Sequence, residues 1–168
     1  MTHCIIWERP DGGVTVENPA FNDRSRPAGD TDEALIARCK EKTALRLAAK
    51  YGGGSVAHDH DVSQLPEPAG DRPFFNAWQW SSSPEQVFVD MPTARGIHMD
   101  KIRVARNAEL ATKDITFMRA VEDGDTSAQS TIATEKQTLR DIPQTFDLTT
   151  DTPTQLKALW PSELPAQE

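Results

Sequence analysis

At 168 residues the chain has room for one ordinary domain or two very small ones, and neither can bury a large core. A net charge of -8 at pH 7 argues against general attraction to nucleic acid or anionic lipid, and no run approaches the eighteen or so apolar residues of a membrane span, so proteins are the partners to expect. The start MTHCIIWERP lacks the basic beginning and apolar stretch of a signal peptide, which implies cytoplasmic synthesis; Cys4 and Cys39 then stay reduced and, with no CxxC or Cys/His cluster, read as small apolar fillers.

Cys4 and Ile6 precede the turn-forming run Pro10-Asp11-Gly12-Gly13, and Val14 and Val16 follow it, so alternation and turn chemistry together predict a β-hairpin. A polar connection over 18–29 leads to Asp30 and Glu33, which have the spacing of an N-terminal capping box. The helix predicted over 31–50 carries Ala34, Leu35, Ala37, Cys39, Ala44, Leu45, Leu47 and Ala48 as its apolar face and is stopped by Tyr51-Gly52-Gly53-Gly54. Residues 55–62 read as another strand. The stretch 65–73 is rich in proline and turn formers and marks a module boundary. Phe74, Phe75, Trp78 and Trp80, followed by Val87-Phe88-Val89, are expected to close the first sheet.

From Met91 the period changes. Pro92 suits a first helical turn, and Ala94, Ile97, Lys101, Val104, Ala108, Ala111, Ile115 and Met118 follow alternating steps of three and four. Gly124 ends this helix, Asp125 or Thr126 caps the next, and Ala128, Ile132, Leu139 and Ile142 line one side of it before Pro143 stops it. The short connection predicts an antiparallel helical hairpin over 92–142, with Val104 and Ile115 facing Ile132 and Leu139. A first helix of about 45 Å would outrun its partner, leaving part of the stripe for another surface. Thr152-Pro153 with Leu156, Leu159 and Trp160 reads as a short capped helix that docks Trp160 on the hairpin.

His58-Asp59-His60-Asp61 is the one cluster of metal-ligand types. On a strand the two histidines share one face, with His3 or His98 as candidate thirds, while the alternative is a polar edge strand whose charges discourage edge pairing. There is no GxSxG, Ser81-Ser82-Ser83-Pro84 reads as a loop, and the three glycines at 52–54 lack the lysine of a phosphate loop. The reading is therefore of no catalytic residue, no bound metal and no cofactor. Arg95, Lys101, Arg103 and Arg106 form a basic stretch, either a contact for an acidic partner or a solvated helix face.

Three segments carry a resemblance: Asp71-Arg72-Pro73-Phe74-Phe75-Asn76-Ala77-Trp78; Val89-Asp90-Met91-Pro92-Thr93-Ala94-Arg95-Gly96-Ile97-His98; and Leu139-Arg140-Asp141-Ile142-Pro143 with Trp160-Pro161 later. Over about residues 71–161 the chain resembles small proteins encoded beside tail-fibre and tail-tip genes of tailed bacteriophages, and the last pattern resembles the phage tail assembly chaperone domain. The resemblance implies protein binding during or within tail construction, with no catalytic residue to carry over.

The sequence thus predicts an α+β protein: a β-rich module with one helix over 1–90, then a helical hairpin with a short C-terminal helix over 91–168. The expected role is non-enzymatic, a structural component of the virion tail made in the host cytoplasm, binding tail-fibre or tail-tip proteins and open to homo-oligomerisation. Phe74, Phe75, Trp78, Trp80, Ile97, Lys101, Val104 and Trp160 are the expected partner-binding residues. The alternatives are a tail assembly chaperone absent from the mature virion and a metal-dependent enzyme using His58 and His60.

Overall fold

The turn at residues 9–13 sets the first strand pair. The Arg9 amide donates to the Gly13 carbonyl (2.9 Å) and Gly12, at φ 82°, supplies the left-handed residue the reversal needs. β1 (His3–Glu8) thereby pairs antiparallel with β2 (Val14–Glu17), Ile6 opposite Val16. This is a computed structural model that describes residues 3–53, 55–67 and 72–167. The third glycine of the helix stop, Gly54, and residues 68–71, which include Asp71 of the first resembling segment, lie outside the described residues. The chain is α+β and divides into two units, Met1–Asp90 and Met91–Glu168.

In the first unit β1 is the central strand. β3 (Val56–Asp61) adds antiparallel on its other side, giving the order β2-β1-β3. Cys4, Ile5, Ile6 and Trp7 are all buried, so both faces of β1 are covered. Ile5 and Trp7 meet α1 (Asp32–Tyr51) through Leu47, with Ile36, Cys39 and Tyr51 around them. Cys4 and Ile6 meet Leu65, Trp78 and Val87. The last two belong to β4 (Trp78–Ser82) and β5 (Glu85–Val89), which form a two-stranded sheet of their own and do not extend the first sheet, as the sequence had led us to expect. Ser81 and Ser82 accordingly lie in β4, and the turn falls at Ser83-Pro84. Because Leu65 and Trp78 share one core, 65–73 is a connection inside this unit and the change of unit comes after Asp90.

α1 is capped by Thr31, whose hydroxyl accepts from the Ala34 amide at 3.2 Å; Asp30 is engaged elsewhere. Its packed face runs Ile36, Cys39, Thr43, Leu47 and Tyr51, whereas Leu45 is 70% exposed. Glu17 ties sheet to helix by accepting from Trp7 Nε1 (3.0 Å) and from the Thr43 hydroxyl (2.9 Å).

The second unit is a hairpin of α2 (Met91–Glu122) and α3 (Thr126–Thr145), followed by α4 (Pro153–Ala158). Gly124 closes α2 and Asp125 caps α3 by accepting from the Ala128 amide at 2.9 Å. α3 continues past Pro143 to Thr145: proline lacks only the donor that Leu139 would have received, and the last turn is held by Phe146 N–H to the Ile142 carbonyl at 2.9 Å. Buried positions of α2 are Ala94, His98, Ile102 and Ala120. Of the expected stripe only Ala94 is among them, because Val104 lies about 200° round the helix from Ile102. The side of α2 turned to α3 is more polar than apolar periodicity suggests: Lys113 pairs with Glu135 at 2.8 Å, Asp114 with Lys136, and the Lys136 ammonium lies over the Phe117 ring.

Candidate interaction surface

The histidines of β3 and the sheet register decide what the first unit can do chemically. His58 stands opposite Ile6 and His60 opposite Cys4, on the face that meets β4 and β5, and the Trp80 ring lies between them, stacked on His58 at 4.1 Å and edge-on to His60 at 5.7 Å. His3 is opposite Asp61 and 3.2 Å from Asp59, on the other face, where Asp59 also takes Lys40 at 2.8 Å. His98 belongs to the second unit, where its Nε2 donates to the Leu159 carbonyl at 2.7 Å. Two histidines therefore share a surface with an indole between them, and His3 stands on the opposite face of the sheet. Among the described residues no three His, Cys, Asp or Glu side chains group as a metal site requires.

Nucleophile chemistry finds equally little support. Burial pushes the Cys4 thiol up to about 11, with nearby Asp61 adding to the effect, and burial followed by Glu17 raises Cys39 as well. Such thiols stay protonated and unreactive near neutral pH. A cleft of about 240 Å³ on the second unit is lined by Glu109, Lys113, Glu135, Thr138, Leu139 and Glu163. Among the described residues its only cation, Lys113, is already held by Glu135. No helix among the described residues is long and apolar enough to cross a membrane.

The expected binding residues divide by exposure. Phe74 and Trp78 are fully enclosed, the Trp78 indole donating to Glu67 at 3.1 Å, so neither presents surface to a partner. For Trp78 the separate β4–β5 sheet supplies a second core wall. Phe75 and Trp80 are half-buried against the same cluster. Trp160 is half-buried, donates to the Pro165 carbonyl at 2.7 Å and meets His98 edge-on, so it docks beside α2 as a fastening of the C-terminal segment. Ile97 is half-buried and Lys101 exposed.

What remains open is one face of α2. Val104 is 71% exposed, Ile115 58% and Met118 57%, and Ala108 and Ala111 between them are exposed too. These five residues keep the alternating steps of three and four that make a straight apolar seam. The sequence reading set Val104 and Ile115 against Ile132 and Leu139 in the hairpin core, and both are instead exposed; the matched charges at Lys113 with Glu135 and Asp114 with Lys136 were the available signal that α3 meets a different side. The extra length of α2 is not what leaves the seam uncovered. α2 has 32 residues and α3 has 20, but α4 and the following segment cover the early part of α2 through His98 and Leu156. The open surface is a face, not an end. Comparison of the chain with known protein families, curated proteins and solved structures returns no match.

Proposed function

We propose that this chain is a non-enzymatic, protein-binding component of a bacteriophage tail, with the open face of α2 as its contact surface. The observation that carries the binding half is the exposed seam from Val104 to Met118: large apolar side chains on the outside of a well-packed helix lose water only when a partner covers them. The tail half is supported by the resemblance of residues 71–161 to small proteins encoded beside tail-fibre and tail-tip genes. Lys101 lies on the same side of α2 and acts at the rim, where charge steers association more than it holds the complex.

The experiment has two readings. The tagged chain should retain a tail-fibre or tail-tip protein from lysates of infected cells, and Val104→Asp should abolish that retention while leaving helix content unchanged. Mass spectrometry of purified particles should find the chain at a fixed copy number. Its absence from particles, with presence in assembly intermediates, would reassign it as an assembly chaperone; loss of neither retention nor copy number in Val104→Asp would remove α2 as the contact surface.

A further inference from the structure

We propose that the α2 seam pairs antiparallel with the seam of a second copy, joining two hairpins into a four-helix assembly. The inference rests on the reading of this face as a protein interface and names its occupant. Steps of three and four fit another helix rather than an irregular surface. The seam also complements itself: large residues stand toward its ends, Val104 on one side and Ile115 and Met118 on the other, with the small Ala108 and Ala111 between. Reversing one copy about a point between residues 109 and 110 sets Val104 against Ile115 of the partner and Ala108 against Ala111, so the backbones approach closely at the centre and apolar side chains interlock on both sides. The same superposition puts Asn107 beside Asp114 of the partner, an amide donor next to a carboxylate.

Charge decides the direction. The first half of α2 carries Arg95, Lys101, Arg103 and Arg106 against the single acid Asp100; the second half carries Glu109, Asp114 and Glu122 against Lys113 and Arg119. A parallel pair would stack basic on basic, acidic on acidic and Lys101 on Lys101. The antiparallel pair lays each basic half over an acidic half and runs the Lys101 stem across Met118 toward Glu122 of the partner. An isologous two-fold contact of this kind closes on itself and leaves no second seam to propagate a filament. The seam spans about 21 Å from Val104 to Met118 at 1.5 Å per residue, and with the flanking charges it engages most of the exposed length of α2.

Sedimentation velocity over a concentration series should find the wild-type chain as a dimer that weakens as salt rises, and Val104→Asp as a monomer with unchanged helical circular dichroism. In a Cys39→Ser background, Val104→Cys mixed with Ile115→Cys should be joined by a short bismaleimide, while each variant alone should not. A wild-type monomer at every concentration, or a dimer that survives Val104→Asp, overturns the proposal. Cross-linking of Val104→Cys to itself overturns the antiparallel direction. A monomeric wild type whose Val104→Asp variant loses tail binding would reject self-pairing and keep the seam as a contact for a different protein. A seam dimer absent from tails and assembly intermediates would reject the tail role and keep self-pairing.

Discussion

Asp30 anchors the connection before α1 through two arginines. Arg38 grips both of its oxygens at 2.7 Å and Arg26 donates at 3.0 Å, while Arg26 also reaches the Phe21 carbonyl and Asp32. The Arg38 bonds, followed by those of Arg26, hold the Asp30 carboxyl down at about 2 against an ordinary 3.8. A folded value below the unfolded one means that ionised Asp30 favours the folded chain above the ordinary value, and that this contribution is lost as pH falls toward 2. Asp30→Asn should therefore melt at a lower temperature than wild type at pH 7, with the gap closing between about pH 4 and 2 in parallel melts. A gap independent of pH would mean the carboxylate charge is irrelevant there. The sequence places Asp30 and Glu33 at capping-box spacing, yet Thr31 caps the helix: the spacing rule sees three residues ahead and cannot see Arg38 folding back from the second turn. The thiols give a second residue-scale test. At pH 8 without denaturant Cys4 should resist alkylation and Cys39 should react slowly, both becoming reactive on unfolding; fast native labelling of Cys4 would contradict its burial.

At the scale of elements, α2 separates periodicity from burial. Its apolar stripe is the most regular signal in the chain and from Val104 onward sits outside, while between the buried Ile102 and Ala120 the helix turns the half-buried Lys113 to Glu135 of α3. Existence, direction and approximate length of both helices were legible from caps, Gly124 and the period. Phase was not, because a side stabilised by ion pairs looks solvated in sequence and an exposed apolar side looks like core. Ile102→Ala should accordingly destabilise the second unit by about 2–5 kcal/mol, whereas Ile115→Ala, at a site 58% exposed, should change stability by no more than about 0.5 kcal/mol in denaturant melts of the monomer. The reverse ranking would restore the stripe as hairpin core. Gly96 offers a gain. A Cβ there would meet no atom within 4 Å, so Gly96→Ala should stabilise α2 by roughly 0.5–1 kcal/mol through better helix propensity. The β4–β5 sheet was the element least visible beforehand, since strand propensity gives no hint of which sheet a strand joins.

Across the whole molecule, fold and surface were unequally legible. The α+β class followed from a hairpin, a capped helix and then heptad spacing, and the strand faces of His58 and His60 followed from period two. That Trp80 would insert between those histidines depends on a long-range packing that local pattern does not encode. Of the aromatic residues before Asp90, Trp78 is core shared by the two sheets, with Phe75 and Trp80 half-buried against it. The apolar seam from Val104 to Met118 stays exposed. The most direct test is the amount of the chain in purified phage particles, quantified by mass spectrometry for wild type and for a folded Val104→Asp variant. A fixed wild-type copy number and loss of the variant from particles is the predicted result; wild-type incorporation of Val104→Asp would contradict the claim that the α2 seam is the interface through which this protein acts.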